Sequence, residues 1–185
     1  MDNGAECYRR YQQGDDSGFA ELIREYMDGL TLYLNGIVGN IHVAEELTEE
    51  TLVKIATKKP RFSGKSSFKT WLYAIGRNIA LDYIKRETRH GCYEIVTTPQ
   101  QLRDEEDLER TYIREDQKLT VRRMLRRLKP EYRQVLWLIY FEGFSSKEAA
   151  VVMKKSTHNV ETLVYRARQA LKSKLNEEGF IYEEL

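Results

Sequence analysis

The chain has 185 residues, 41% of them hydrophobic and 32% charged, which suffices for one moderate core or two small ones and keeps the chain soluble. No apolar run approaches the roughly 18 residues of a membrane span, and the polar N-terminus lacks the apolar core of a signal peptide. The two cysteines, Cys7 and Cys92, lie far apart and outside any His/Cys motif, which argues against a zinc site or a disulfide framework. We therefore expect a cytoplasmic protein without membrane insertion, metal or other cofactor.

The net charge is only +1, but the charges are strongly segregated along the chain. Residues 58–86 carry 8 basic and 1 acidic side chains, and residues 118–175 carry 14 basic and 4 acidic ones. The segments before, between and after these two blocks are acidic. A single basic block is often only a solvated helix face, whereas two blocks on separate helical segments favour a polyanionic partner such as nucleic acid.

Helices are predicted over nearly the whole chain, because proline is rare and apolar residues recur with helical spacing. The first predicted helix begins at Ser17, a good N-cap. Its buried stripe comprises Phe19, Leu22, Ile23, Tyr26, Leu30, Tyr33, Leu34 and Ile37. Gly29 and Gly36 weaken this helix and are expected to kink or end it. A second helix is predicted over about 42–58, and Pro60 stops it.

A polar loop, RFSGKSS, separates the second helix from a third one that starts at Ser66 or Ser67. The apolar face of the third helix holds Phe68, Trp71, Leu72, Ile75, Ile79 and Ile84, and its basic residues Lys69, Arg77, Lys85 and Arg86 are predicted to lie largely elsewhere. Aromatic side chains among cations suit single-stranded nucleic acid, where bases stack on rings and phosphates pair with charge. Phe68 and Trp71 are better explained as core residues, whereas Phe62, beside the loop, has less reason to be buried.

From about Thr88 to Asp116 the periodicity weakens, and the charged run RDEEDLER favours a linker that is partly helical at its end. The next helix is predicted over 117–128, with Leu119, Met124, Leu125 and Leu128 facing inward. Pro130 is well placed in the first turn of a further helix. That helix is expected to stop at Gly143, and its apolar residues are Val135, Leu136, Leu138, Ile139 and Phe141.

The segment that follows Gly143 has the layout of a helix-turn-helix motif. Ser145 and Glu148 form a capping box before a short helix over Lys147–Met153, and a polar turn at Lys154–Ser156 leads to a long helix. The inner stripe of the long helix is Val160, Leu163, Val164, Ala167 and Leu171, and the small Ala149 and Ala150 allow a close crossing. Any helical hairpin can show this pattern, so a hairpin without DNA binding is the alternative interpretation.

In such a motif the N-terminal half of the second helix enters the major groove of DNA. Candidate base-reading residues there are Ser156, Thr157, His158, Asn159, Glu161, Thr162 and Tyr165. Asparagine can read adenine, glutamate can accept from cytosine, and threonine can touch a thymine methyl group. Candidate phosphate contacts are Arg166, Arg168, Lys172 and Lys174. The same residues also fit a solvated polar face, and Glu161 fits it well because it would repel a phosphate.

Three stretches resemble a known family. RFSGKSSFKTWLYAIGRNIALDYIKRE is similar to conserved region 2 of the extracytoplasmic-function (ECF) subgroup of sigma-70 family factors, and HVAEELTEETLVKI just before it resembles the polymerase-binding helix of that subgroup. LKPEYRQVLWLIYFEGFSSKEAAVVMKKSTHNVETLVYRARQALKSKL resembles region 4. The two modules cover most of the chain, in the family's order. The resemblance implies an all-α fold, with a region 2 helical bundle joined by a linker to a region 4 helix-turn-helix.

On this basis we divide the chain into region 2 at 1–87, a linker at 88–116, region 4 at 117–178 and an acidic tail at 179–185. The resemblance implies a sigma factor, not an enzyme, that directs recognition and opening of promoter DNA. Its partners would be core RNA polymerase (the clamp of the largest subunit and the flap of the second), double- and single-stranded promoter DNA, and an anti-sigma factor. The chain has no room for the large N-terminal extension or the middle domain of primary sigma factors, so we expect an alternative factor.

The resemblance also assigns roles to residues. Core-polymerase binding falls on Glu45, Glu46, Leu47, Glu49 and Glu50, whose acids suit a basic partner surface or, alternatively, only a solvated face. Binding of the −10 element, around a base flipped out of the non-template strand, falls on Phe62, Ser63, Gly64, Lys65, Lys69, Arg77, Asn78, Lys85 and Arg86. Region 4 reads the −35 element with the helix-turn-helix residues given above. The chain departs from the family pattern at Val43, Glu49, Lys154, His158, Glu161 and Leu163.

Three other functions compete with this one. A helix-turn-helix regulator that never joins polymerase explains residues 118–175 but leaves the first module without a purpose. An enzyme is disfavoured because the chain has no HExxH, GxGxxG or phosphate-loop motif and no cysteine with a plausible partner. A structural adaptor with two helical modules would bind polymerase without binding DNA.

Overall fold

The computed structural model describes residues 2–89 and 124–177, and all regular elements in these two ranges are helical, as predicted. The helices form two groups that pack against each other. The first group contains α1 (Asn3–Gln12), α2 (Asp16–Val38), α3 (Ile41–Lys58) and α4 (Phe68–Arg89). The second group contains α5 (Pro130–Leu136), a π-helix over Trp137–Phe141 that continues α5, α6 (Ser146–Met153) and α7 (Thr157–Glu177).

Helix α2 is the centre of the first group. The other three helices of the group all pack against it, and Leu30, Tyr33 and Leu34 are fully buried among them. Helix α1, which the sequence patterns do not predict, is capped by Asp2, whose carboxylate accepts a hydrogen bond from the backbone N–H of Ala5 at 3.2 Å. The same carboxylate also accepts from the backbone N–H of Phe68, so Asp2 ties the first turns of α1 and α4 together.

Two of the predictions for α2 are wrong. Its N-cap is Asp15 instead of Ser17, because the Asp15 carboxylate accepts from the backbone N–H of Ser17 at 3.0 Å. The helix also runs through Gly29 and Gly36 without a break and ends at Val38, where Gly39, with a φ of 75°, supplies a left-handed cap. Packing around α2 therefore outweighs the cost of two interior glycines, each about 1 kcal/mol relative to alanine.

The predicted helices α3 and α4 are confirmed, with small shifts in their bounds. Asn40 starts α3 by accepting from the backbone N–H of Val43 at 3.2 Å. The Ser67 hydroxyl starts α4 by accepting from the backbone N–H of Thr70 at 3.2 Å. One expectation fails: Arg77 is only 8% exposed, so not every basic residue of α4 lies outside the buried face.

The second group contains the predicted helix-turn-helix, formed by α6 and α7. Both halves of the capping box are present: Ser145 Oγ accepts from the backbone N–H of Glu148 at 3.3 Å, and the Glu148 carboxylate accepts from the backbone N–H of Ser145 at 3.0 Å. Lys154, at φ 53°, turns the chain between the two helices. Ala149 and Ala150 are buried, which is consistent with the predicted close crossing.

The remaining predicted segments are described only in part. Helix α4 extends to Arg89, two residues beyond the predicted boundary at 87. The rest of the linker, the start of the helix predicted over 117–128 and the acidic tail lie outside the described residues. Of the apolar face predicted for that helix, Met124, Leu125 and Leu128 are described and buried. Among the described helices, none is both long and apolar enough to span a bilayer.

The capping box makes the stability of the fold depend on pH. Hydrogen bonding from the backbone N–H of Ser145 holds the pKa of the Glu148 carboxyl below its ordinary value of 4.5. Because the folded pKa is lower than the unfolded one, the carboxylate contributes its full stabilisation above about pH 4.5. That contribution is lost as the pH falls through the folded-state pKa. We expect Glu148→Gln, which keeps the cap geometry without the charge, to be less stable than the wild type at neutral pH.

The difference in free energy of unfolding between the wild type and Glu148→Gln should shrink as the pH falls below about 4.5. Urea unfolding at a series of pH values measures both free energies. Glu161→Gln, at an exposed position outside the capping box, is the matched charge control and should show no such trend. A difference that stays constant down to acid pH would contradict this account of Glu148.

Candidate nucleic-acid interface

The first turns of α7 form an exposed polar surface on the second group. The Ser156 hydroxyl accepts from the backbone N–H of Asn159 at 3.2 Å, which fixes the start of the helix. Tyr165 is 66% exposed, with its ring in solvent. The other predicted base-reading residues lie on the same turns, His158 and Glu161 exposed and Thr157 and Thr162 half-buried at the edge. The structure therefore brings the whole predicted base-reading set together.

Basic residues extend this surface toward the C-terminus of α7. Arg166, Arg168 and Lys172 are exposed, and Lys174 pairs with Glu177 at 2.7 Å. Positions 161, 165, 168 and 172 have the spacing of one helical stripe. A stripe that passes from polar, base-reading side chains to cations is the arrangement by which a helix meets base edges and then phosphates.

The loop between α3 and α4 carries the predicted base-capturing residues. Ser63, Gly64 and Lys65 are exposed, with Gly64 at φ 69°. Phe62 is only half-buried, because part of its ring rests on the core: the ring centroids are 5.8 Å from Phe68 and 5.3 Å from Trp71. The loop thus offers a partly exposed ring next to a glycine turn and an exposed lysine.

The remaining −10 residues are spread along α4. Phe68 is buried and Trp71 is half-buried against the core, in agreement with their interpretation as core residues. Asn78 is half-buried, and Lys85 and Arg86 are exposed near the end of the helix. At 1.5 Å per residue, the end of α4 lies about 27 Å from the loop, so these cations would meet a different part of a bound strand.

One face of α3 is acidic and exposed. Glu46, Glu49 and Glu50 are exposed there, and Glu45 lies 3.5 Å from His42. Val53, on the same helix, is 57% exposed. Leu47, which the resemblance placed in the same contact, is instead 4% exposed and belongs to the core. The acidic surface of α3 is therefore available to a partner, with Leu47 supporting it from within.

Two residues predicted to bind the −10 element, Lys69 and Arg77, lie between the two helix groups. Arg77 Nε donates to Gln134 Oε1 at 3.0 Å, and both side chains are buried. Lys69 Nζ lies 3.0 Å from Glu142 Oε2 and donates to the backbone oxygen of Glu142 at 2.8 Å. Both cations are therefore engaged by the second group in this arrangement.

The Glu142 carboxylate is the centre of this contact, and only 10% of its side chain is exposed. It accepts from the Tyr73 hydroxyl at 2.6 Å and from Trp137 Nε1 at 3.2 Å, in addition to the pairing with Lys69. Burial, together with the nearby Glu142 charge, raises the pKa of Tyr73 well above its ordinary value. The phenol therefore stays protonated and remains a donor to the carboxylate.

A second contact joins the start of α4 to α6. The hydroxyls of Ser67 and Thr70 lie 3.3 and 3.4 Å from Glu148 Oε1, which they reach as donors. The Tyr73 ring meets that of Phe144 edge-on, with the centroids 5.2 Å apart. Helix α6 of the helix-turn-helix thus lies along the face of α4 that carries Lys69.

No sequence pattern identifies the residues that join the two groups. Glu142 gives one signal, because it is a lone acid that follows the apolar run WLIYF, where a carboxylate needs a partner. Its partners Tyr73 and Lys69 lie 69 and 73 residues earlier in the chain. Helical periodicity reports which side of a helix is buried, but not which distant polar group it meets.

Comparison with known families matches two segments of the chain. Residues 22–90 match the family model described as Sigma-70 region 2, and residues 118–171 match the one described as Sigma-70, region 4. The first segment takes in most of α2, all of α3, the loop and α4. The second takes in α5, the π-helix, α6 and most of α7.

Several curated proteins are similar over most of this chain. The RNA polymerase sigma-H factor of Pseudomonas aeruginosa is 29% identical over 174 residues, which cover 90% of each chain. RNA polymerase sigma factor YlaC of Bacillus subtilis is 30% identical over 160 residues, 84% of this chain and 90% of its own. The ECF RNA polymerase sigma factor SigW of the same species is 24% identical over 177 residues, 91% of this chain and 95% of its own.

A solved structure shares the fold. The sigma factor RpoE of Bartonella quintana, crystallised with the anti-sigma factor NepR, matches with a TM-score of 0.67 and 23% identity over 85% of this chain and 96% of its own. Both sigma-70 regions are thus present in order, with relatives of the ECF group along nearly the whole length. The chain belongs to the sigma-70 family of RNA polymerase sigma factors, in its extracytoplasmic-function group, and acts without catalysis in promoter recognition at transcription initiation.

Proposed function

We propose that this chain is an alternative sigma factor that joins core RNA polymerase through α3, captures the −10 element with the loop and α4, and reads the −35 element with α7. One observation carries the proposal: a helix-turn-helix with exposed polar first turns shares a chain with the acidic α3 surface and the glycine loop. A simple helix-turn-helix regulator needs only the first of these three features. We propose the same division into 1–87, 88–116, 117–178 and 179–185 for the region boundaries.

The acidic face of α3 is the proposed polymerase contact. Glu46, Glu49 and Glu50 are exposed together, and a cluster of carboxylates attracts a basic partner surface and speeds its encounter. The exposed Val53 adds an apolar contact on the same helix. Helix α3 packs against α2 and α4, and within the described residues these three glutamates and Val53 stay exposed to solvent.

The loop and α4 are the proposed −10 surface. A base unstacked from the duplex costs a few kcal/mol, which ring stacking and hydrogen bonds at the base edge must offset. The partly exposed ring of Phe62 offers the stacking surface, and the Asn78 carboxamide offers both a donor and an acceptor. The cations Lys65, Lys85 and Arg86 are exposed and suited to phosphates.

We also propose that the protein is regulated by an anti-sigma factor and works in the bacterial cytoplasm. The support for the first part is that the structurally similar sigma factor RpoE has been solved with the anti-sigma factor NepR. A second structural neighbour, CnrH, has been solved with the cytosolic domain of CnrY. The support for the second part is the function itself, because promoter DNA and RNA polymerase occupy that compartment in bacteria.

Run-off transcription with purified core polymerase and a promoter library from the source organism tests the sigma function directly. Transcripts that require this chain would support it, and their upstream sequences would give both promoter elements. If no transcript depended on the chain and a pull-down showed no polymerase binding, the proposal would fail in favour of a DNA-binding regulator.

Alanine at Phe62 or Asn78 should impair promoter opening by about tenfold or more while leaving polymerase binding nearly unchanged, because each removes part of the contact with an unstacked base. Permanganate reactivity of unpaired thymines measures opening, and co-purification with core polymerase measures binding. Phe19→Ala is the matched control, since Phe19 is also a half-buried ring but lies on α2, with its centroid 4.8 Å from that of Tyr11. Equal loss of opening and binding would instead make Phe62 and Asn78 structural residues.

Neutralising Arg168 or Lys172 with glutamine should lower the salt dependence of −35 duplex binding by roughly one unit of slope, because each removes one phosphate contact. Sequence preference among duplexes should stay the same. Fluorescence anisotropy over a series of salt concentrations measures the slope. Lys54→Gln, an exposed lysine on α3, is the control and should leave it unchanged. A changed sequence preference would show that these side chains read bases instead.

A further inference from the structure

The contact between the two helix groups has a polar centre formed by Glu142, Lys69 and Tyr73. Glu142 comes from the end of the π-helix, and Lys69 and Tyr73 come from α4. The Tyr73 hydroxyl donates to the Glu142 carboxylate at 2.6 Å, and Lys69 Nζ pairs with that carboxylate at 3.0 Å and donates to the backbone oxygen of Glu142 at 2.8 Å. Lys69 and Tyr73 reach the Glu142 carboxylate only while the groups are packed together, so the ion pair and the charge-assisted hydrogen bond link the two groups.

Helix α2 supplies the space for this cluster. A Cβ atom on Gly29 would lie 2.7 Å from the Tyr73 hydroxyl oxygen and 3.1 Å from both carboxylate oxygens of Glu142. Gly36 lies two turns further along the same face, and a Cβ there would lie 3.8 Å from the Arg133 side chain, an ordinary contact. Glycine at position 29 is therefore required by the cluster, whereas glycine at position 36 is not.

Packing of the second helix group on α4 covers part of the proposed −10 surface and leaves the other proposed binding surfaces exposed. Lys69 and Arg77 are engaged by Glu142 and Gln134, and α6 lies along α4 beside them. By contrast, the base-reading turns of α7 and the acidic face of α3 remain exposed. The free protein thus presents its polymerase and −35 surfaces while part of its −10 surface is covered.

We propose that Glu142 is a latch that holds the second helix group on α4, and that single-stranded DNA of the −10 element competes with its carboxylate for Lys69. This inference rests on the proposed function of α4 as the −10 surface. Carboxylate and phosphate are both anions that pair with a lysine ammonium, so one Lys69 cannot serve both. The closed protein binds −10 strand poorly, and any ligand that binds only the open state shifts the population toward it.

The size of the effect follows from the population of the open state. The apparent dissociation constant for a single strand equals the intrinsic one divided by the fraction of molecules that are open. A variant that opens most molecules raises the apparent affinity by the inverse of the original open fraction. We expect a gain of about tenfold for a latch that keeps about one molecule in ten open.

Two variants open the latch by different means. Glu142→Gln removes the charge and keeps the shape, and Gly29→Ala keeps every charge and pushes the cluster apart sterically. Each has a matched control. Glu131→Gln makes the same charge change at an exposed carboxylate of α5 that pairs with Lys155, and Gly36→Ala makes the same change on the same face of α2 without a close contact.

Three measurements on the full chain test the proposal. Small-angle scattering reports the radius of gyration, and anisotropy reports binding of a labelled mixed-sequence single-stranded oligonucleotide. Tryptophan emission, to which Trp71 and Trp137 both contribute, reports the change in solvation of Trp137 beside Glu142. We expect Glu142→Gln and Gly29→Ala to be more expanded, to emit at longer wavelength and to bind the strand about tenfold more tightly than the wild type. Glu131→Gln and Gly36→Ala should match the wild type in all three.

Either of two results would overturn the proposal: both latch variants remain as compact as the wild type, or both expand without a gain in single-strand affinity. Circular dichroism establishes that each variant is folded. If one of the two latch variants does not fold, the other still tests the proposal. Run-off transcription with the wild type separates this proposal from the proposed function. If the wild type supports transcription but the latch variants stay compact, the sigma proposal stands and the latch proposal is wrong. If the variants expand and bind the strand more tightly but the wild type supports no transcription, the latch proposal stands and the sigma proposal is wrong.

Discussion

The burial of α2 on every side is the constraint on which the rest of the structure depends. Residues 30–35 are six consecutive positions, and all of them are buried. Since six residues span more than one and a half turns, no face of this stretch meets water. The first group alone covers only part of the helix, and α5 with the π-helix covers more of it. Closure of the second group therefore completes a core that the first group leaves unfinished.

Several polar side chains buried around α2 are hydrogen-bonded to the helices that surround it. Thr31 donates to Thr48 at 3.1 Å, and Thr48 in turn donates to the backbone oxygen of Ala44 at 2.8 Å, so α2 and α3 are held in one register. Arg77 reaches through the same region to Gln134. Buried polar groups of this kind stabilise little on their own but penalise any arrangement that leaves them unpaired. They select one packing of the two groups among many apolar ones.

The sequence predicts the parts of the fold that depend on neighbouring residues. The capping box of Ser145 and Glu148, the turn at Lys154 and the inner stripe of α7 all follow from local spacing, and all are present. Local spacing does not single out the cap at Asp15, because Asp15 and Ser17 are both good caps and only packing decides between them.

The interface between the groups could not be predicted, because it pairs residues about seventy positions apart. Arg77 illustrates the failure: a basic residue next to the apolar face of α4 is normally solvated, and its burial depends on a glutamine in another module. Gly29 illustrates the reverse. It weakens α2 by propensity, but a side chain at this position would displace Tyr73 and Glu142. In both cases tertiary contact overrides the local signal.

The π-helix over Trp137–Phe141 sets the direction in which Glu142 projects. The backbone N–H of Glu142 donates to the backbone oxygen of Trp137, five residues earlier. In this wider turn the rings of Trp137 and Phe141 stack on each other. Such a turn corresponds to one extra residue in an α-helix. Removing that residue would rotate everything after it by about 100° and turn the carboxylate away from α4. The presence of this extra residue therefore decides whether Glu142 faces α4 and can hold the two helix groups together. A relative that keeps the glutamate but lacks the extra residue would be expected to stay open.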